Sequence, residues 1–238
     1  MRRALNYAAD RTAAVNALGG PDVAQATCQI LPPHFPGYRP YCPYTAGSTT
    51  QGTWTAPDLA KARALVARSG TIGMKITVFD YAPVKGLGPL AVKLLQSLGY
   101  RASLKVLGDT YFSTVYDSRT KAQTGWFGWT SDYPAASGFF DSTLTCASFL
   151  PKSPGNGNAA EFCDPRIDRQ IKHALAEQPT NPDAAGRLWE RIDRETVDQA
   201  PWVPLITFKS VDVLSKRVGN YQYSPAGFAL LIDQLWVR

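Results

Sequence analysis

The stretch MKITVFDYAPVKGLGPLAVKLLQSLGYRASLKVLGDTYFSTVYDSRTKAQTGWFGW, residues 74–129, decides the fold. MKITVFD (74–80) reads as a strand. Leu87 to Leu98 reads as a helix, with Leu90, Leu94, Leu95 and Leu98 on one face and Gly99 at its end. ASLKVLG (102–108) is a second strand, TYFSTVYDSR (110–119) a short helix, and TGWFGW (124–129) a third strand. This β-α-β-α-β order is the pattern of an α/β layer with a largely parallel sheet. Ligands in such sheets sit beyond the carboxyl ends of the strands. The chain continues there as GWFGWTSDYP (125–134), where Trp126, Phe127, Trp129 and Tyr133 crowd around a single carboxylate, Asp132. That acid either caps a turn or waits among aromatic rings for a positively charged group. An amine would gain a charge-assisted bond there and about 0.5–2 kcal/mol of cation–π attraction. On a strand Phe127 and Trp129 point one way and Trp126 the other, so some of these rings belong to the core.

Upstream, MRRALNYAADRTAAV reads as one amphipathic helix, with Leu5, Ala8, Ala9, Val15 and Leu18 along a stripe. Residues 19–56 form a long irregular region dense in Pro and Gly. TAPDLAKARALVARSG reads as a helix with Thr55 as N-cap, Asp58 three residues later, Pro57 in the first turn and Gly70 past the end. Downstream, DPRIDRQIKHALAEQ has Asp164 as N-cap, Pro165 first, and an apolar stripe of Ile167, Ile171, Ala174 and Leu175; His173 falls opposite. The following helix repeats the design with Asn181, Pro182, and Leu188, Trp189, Ile192 and Thr196 inward. The end is β-rich, with candidate strands in APWVPLITF, VDVLSK, YQYSP and LLIDQLWVR.

The chain has 238 residues, a net charge of +6 and only 18% charged residues, so it reads as globular with a mildly basic surface. No basic block interleaved with aromatics marks a nucleic-acid groove. No apolar run reaches the ~20 residues of a membrane-spanning helix. The four cysteines fall into two local pairs, Cys28 with Cys42 and Cys146 with Cys163, each around a turn-rich loop. The spacings and the mere two histidines, His34 and His173, argue against zinc, and two disulfides and an oxidising compartment are expected instead. The N-terminus lacks the apolar core of a signal peptide, so the chain reads as a fragment of an exported protein. No GxSxG, HExxH, GxxxxGK[ST] or GxGxxG motif is present, and no acid–base pair stands out. Binding rather than catalysis is the natural reading, with no cofactor and no metal.

The order of motifs resembles the C-terminal half of solute-binding protein family 5, the dipeptide/oligopeptide-binding class that serves ABC importers. RRALNYAADR resembles that family's R-x-A-L-x-Y-A-x-D/N-R/K helix, and LPPHFPGYRPY its P-x-x-x-x-Y segment. PDLAKARALVARSG resembles its D-x-x-K-A-K-x-L-L-x-x-A-G helix, and GWTSDYP its W-x-A-D-Y-x-x-P block. FCDPRIDRQIKHA and RLWERIDRETVDQAPWVPLITF resemble its two later helices, the second leading into A-P-x-(I/V)-P-L. The block differs in Ser131 and continues as AASGFF. The resemblance implies a periplasmic-binding-protein-like α/β fold (type II, cluster C). Residues 1–198 would form the second ligand-binding lobe, and residues 199–238 the crossover and C-terminal strands of the first. It further implies a monomer outside the cytoplasm, lipid-anchored in its full-length form, which captures a peptide or other small solute for a membrane permease; the alternatives are an envelope protein-interaction module on the same fold, or a binder of non-peptide solutes such as sugars or nickel complexes. The family's ammonium-binding aspartate carries over to Asp132, and Trp126, Gly128, Trp129 and Tyr133 are the accompanying candidates.

Overall fold

The computed structural model describes residues 1–84, 86–224 and 229–238. In chain order the elements are α1 (Arg2–Ala8), α2 (Arg11–Ala17), β1 (Ala24–Ala26), α3 (Leu59–Ser69), β2 (Lys75–Tyr81), α4 (Leu87–Ser97), β3 (Arg101–Leu107), α5 (Tyr111–Val115), β4 (Thr124–Gly125), α6 (Ser137–Thr143), α7 (Pro165–Glu177) and α8 (Pro182–Gln199). Five short strands follow: β5 (Ile206–Phe208), β6 (Val218–Gly219), β7 (Tyr223–Ser224), β8 (Ala229–Leu230) and β9 (Trp236–Val237).

The α/β layer takes the expected form. Its sheet runs β3-β2-β4 with both pairings parallel. β2 is central, and its Ile76, Val78 and Asp80 face inward. β3 is one edge strand and is largely exposed. β4 is shorter than its sequence suggests. It pairs only at Thr124 and Gly125, opposite Val78 and Phe79. The next carbonyl, that of Trp126, accepts the Tyr111 hydroxyl at 2.6 Å. Gly125 permits this approach, since a Cβ there would stand 2.7 Å from that hydroxyl. Residues 126–129 therefore leave the ladder, and Asp132 lies well beyond the strand. The expected helix over 110–119 likewise ends at Val115, with a separate single turn over Ser118–Thr120.

The N-terminal helix is two helices. Ala9 is extended and Asp10 caps the second, accepting Ala13 N–H at 2.9 Å. The break turns Arg11 inward, where it is fully buried without a carboxylate. Its Nε donates to the carbonyls of Thr27 (2.8 Å) and Pro204 (2.9 Å), and its terminal nitrogens reach Asn6. Asn6 in turn donates to the Trp202 carbonyl at 2.8 Å. These bonds hold one end of the antiparallel β1–β5 ribbon, where Thr27 follows β1 and Pro204 precedes β5; β1 itself lies inside the region read as irregular. The cap of α3 is also corrected. Asp58, not Thr55, accepts from Lys61 N–H, and Thr55 is engaged with Thr45 and Ala46. Pro57 therefore precedes the helix, which Gly70 ends in the left-handed conformation.

α7 and α8 pack together as the capping pattern predicts, with Asp164 and Asn181 accepting from Arg166 and Ala184. Ile167, Ile171, Ala174, Trp189 and Ile192 are buried between them, and Trp189 stacks on Phe140 at 5.9 Å. Leu175 falls at the edge of the stripe and is 37% exposed. Asp193 on α8 is buried and accepts Gln29 Nε2–H (2.8 Å) and Ile30 N–H (3.1 Å), tying the helix to the first stapled loop. Both disulfides form, Cys28–Cys42 and Cys146–Cys163.

The C-terminal strands differ most from expectation. VDVLSK is not a strand. Val213 is 93% exposed, and no described strand lies beside this segment to satisfy its backbone. The paired residues are Val218–Gly219 with Trp236–Val237, and Tyr223–Ser224 with Ala229–Leu230. Pro225 of the YQYSP stretch lies outside the described residues.

Candidate functional site

Asp132 stands in a turn that its neighbours hold and it does not. Trp129 Nε1–H donates to the Gly138 carbonyl at 2.7 Å. Buried Ser131 donates through Oγ to the Tyr133 carbonyl at 2.6 Å, and Ala135 N–H reaches the same carbonyl at 2.8 Å. Ser137 Oγ donates to the Tyr133 hydroxyl at 3.3 Å. The turn runs directly into α6. Gly138 is required there, because a Cβ would lie 1.9 Å from Ser131 Oγ. The Asp132 carboxylate makes no hydrogen bond or ion pair among the described residues, and the residue is exposed. It therefore does not cap the turn. The carboxylate is thus open to solution on a backbone fixed by other groups.

The rings of the preceding segment belong to a continuous ladder. Tyr81, the last residue of β2, contacts Tyr111 (5.3 Å), Phe112 (5.0 Å) and Trp126 (6.5 Å). Phe112 contacts Tyr116, and Tyr116 contacts Phe127. Phe127 lies parallel to Trp129 within 3° at 6.2 Å, and 4.8 Å from Trp202 after α8. Trp126 folds over Gly128, where a Cβ would stand 2.4 Å from its ring. Burial raises the Tyr111 phenol well above its usual range, with Tyr116 and Asp80 adding to the rise. It pushes Tyr116 up to about 12. Both remain neutral hydrogen-bond donors at physiological pH. Asp80, behind Tyr81, is raised by burial and turned inward toward the backbone N–H groups of Tyr81 and Gly88.

Trp126, Gly128, Trp129, Asp132 and Tyr133 thus lie in one segment at the carboxyl end of the sheet. Trp129 belongs partly to the core, while Tyr133 is exposed on the turn. Tyr81, Phe112, Tyr116 and Trp202 were not legible as site residues, since they come from three other segments. Position could have found Tyr81, which ends a strand at the same edge. Nothing in the sequence marks Gly138. His34 and His173 are elsewhere, the first exposed on the first stapled loop and the second on α7, 3.7 Å from Glu177. Among the described residues no cluster of His, Cys, Asp and Glu is placed to hold a metal, and no helix is long and apolar enough to cross a membrane.

The chain is similar to known proteins in sequence and in fold. Heme-binding protein A of Haemophilus influenzae is 26% identical over 238 residues, a match covering 96% of this chain and 40% of that protein. Di/tripeptide-binding protein 4 of Pseudomonas aeruginosa is 26% identical over 221 residues, covering 90% of this chain and 38% of that protein. This chain therefore spans about two-fifths of such relatives. Among solved structures, clavulanic acid biosynthesis oligopeptide binding protein 2 superposes with a TM-score of 0.83 at 25% identity, over 99% of this chain and 43% of that one. A dipeptide-binding protein from Pseudoalteromonas, in complex with Met-Leu, shares the fold with a TM-score of 0.75 at 19% identity, over 100% of this chain and 45% of that one. The family model described as bacterial extracellular solute-binding proteins, family 5 Middle, matches residues 1–150, and by that match over more than half its length the chain belongs to this family.

Proposed function

We propose that the chain is the ligand-capturing portion of an extracytoplasmic solute-binding protein that delivers a peptide, or a related amine-bearing solute, to an ABC permease. Residues 1–198 act as the second lobe, and residues 199–238 cross back to complete the first. The observation that carries this reading is the free, exposed carboxylate of Asp132 on a turn held by Trp129, Ser131 and Ser137. A ligand ammonium bonded there gains about 1.5–3 kcal/mol as a charge-assisted hydrogen bond. Closure of the lobes excludes water and strengthens the contact. The relatives whose names mention peptides support this ligand class, and the two disulfides suit an oxidising compartment.

Calorimetric titration of the full-length protein and its Asp132→Ala variant with a mixed di- to pentapeptide library tests the reading. Heat in the parent that disappears in the variant is the expected result. Undiminished binding by the variant would remove Asp132 from the site. No heat in the parent would turn attention to non-peptide solutes.

A further inference from the structure

The aromatic ladder is not part of the main core. The large buried cluster is built from α1, α3, β2, α4, α6, α7 and α8 and from the first stapled loop. Of the eight ladder rings only Trp129 and Trp202 pack against it. Tyr111 alone of the eight is fully buried, and Phe112 is 38% exposed. Five half-buried or exposed rings (Tyr81, Phe112, Tyr116, Trp126 and Phe127) therefore form a second apolar assembly at the carboxyl ends of the strands. An apolar surface of this kind, on a segment that also carries a free carboxylate, has the composition of a ligand wall rather than of a solvated face.

Charge narrows its use. Elsewhere the chain covers ring faces with its own cations: Lys61 over Tyr7, Lys105 over Phe79, Arg194 over Tyr41 and Arg238 over Trp236. No described lysine or arginine lies over any ladder ring. The ladder is also rigid. The Tyr111 hydroxyl and the Trp129 indole are each hydrogen-bonded to backbone carbonyls at either end of the segment 126–138. Phe127 is its hub, touching Tyr116, Trp129 and Trp202. Preorganised ring faces on the same segment as a free carboxylate match a ligand that carries a flat apolar group close to its amine.

We infer that the site selects ligands whose amine-bearing unit carries an aromatic or similarly flat side group, with Phe127 and Trp126 as the specificity-determining residues. This rests on the reading that Asp132 takes the amine. Burying a phenyl ring rather than a methyl group against such a wall is worth roughly tenfold or more in affinity.

The test uses three probes, Phe-Ala, Ala-Ala and N-acetyl-Phe-Ala, titrated into the full-length parent and its Phe127→Leu and Trp126→Leu variants. Phe-Ala is expected to bind at least about tenfold tighter than Ala-Ala to the parent, and the ratio is expected to fall toward one in both variants. Circular dichroism checks that each variant is folded, and Trp126→Phe, which keeps a ring, should keep the preference. Equal binding of Phe-Ala and Ala-Ala, both lost on acetylation, would overturn this inference and leave the amine site standing. It would assign the wall to packing within the full-length protein. Tight binding of N-acetyl-Phe-Ala would instead overturn amine capture, and with it the inference in this form. Absence of binding by all three would overturn both.

Discussion

Replacing Asp193 with Asn should abolish a large pH dependence of stability. Asp193 sits buried on α8, and burial pushes its carboxyl up to about 7 from 3.8, the bonds from Gln29, Ile30 and Leu31 opposing only part of the rise. The folded pKa is above the unfolded one. The contribution is therefore fully present below about pH 4 and is lost as pH rises to about 7. Three pH units at about 1.4 kcal/mol each amount to about 4 kcal/mol. The amide does not ionise, so the variant lacks this slope. It presents one acceptor oxygen to the donors of Gln29 and Ile30 where the ionised carboxylate offers two. One donor left unsatisfied costs about 1–3 kcal/mol. The difference in stability between variant and parent should thus shift in the variant's favour by about 4 kcal/mol between pH 4 and pH 8. Urea unfolding of both proteins at unit steps from pH 4 to 8, with the disulfides intact, reads this directly. Parallel stability curves across that range would refute the reasoning and show an Asp193 that titrates normally.

The other expectations concern the site and its supports. Gly138→Ala places a methyl group against Ser131 Oγ, so the turn should shift and peptide affinity should fall roughly tenfold in calorimetry, with the far-ultraviolet circular dichroism unchanged. Arg11→Met strips the donor from the Thr27 and Pro204 carbonyls and should destabilise the protein by about 3 kcal/mol or more in urea unfolding. Replacing Cys146 and Cys163 together with Ser should cost about 3 kcal/mol and also weaken ligand binding, because that loop supports the ladder: Asn156 donates to the Tyr116 carbonyl and Lys152 N–H to Ser118. The Cys28/Cys42 double replacement should lower stability comparably while leaving ligand affinity much less affected.

The parts of this fold that could be read from the chain are those set by local chemistry. Asp164-Pro165 and Asn181-Pro182 start helices because a short polar side chain takes an early N–H and proline has none to leave unpaired. The leucines of α4 and the β-formers of β2 report their burial through their spacing. The misreadings arise where a distant group decides. Ala9 is compatible with a helix, but Asp10 captures Ala13 N–H and Arg11 is drawn to carbonyls 16 and 193 residues away. TGWFGW has the composition of a strand, yet Tyr111 takes the carbonyl that a neighbouring strand would need. VDVLSK has β propensity and no strand to pair with among the described residues. Asp132 was legible as a candidate because carboxylate and rings are adjacent in the sequence. The ladder was not, because Tyr81, Tyr116 and Trp202 join Phe127 only through the topology of the sheet and the return of the chain after α8.

The most direct measurement of the central claim is a crystal structure of the full-length protein with a bound dipeptide. The ligand nitrogen should lie about 2.7–2.9 Å from an Asp132 carboxylate oxygen, with the turn from Trp129 to Gly138 unchanged. A bound peptide whose amine is held by another group, with Asp132 facing solvent, would contradict the account.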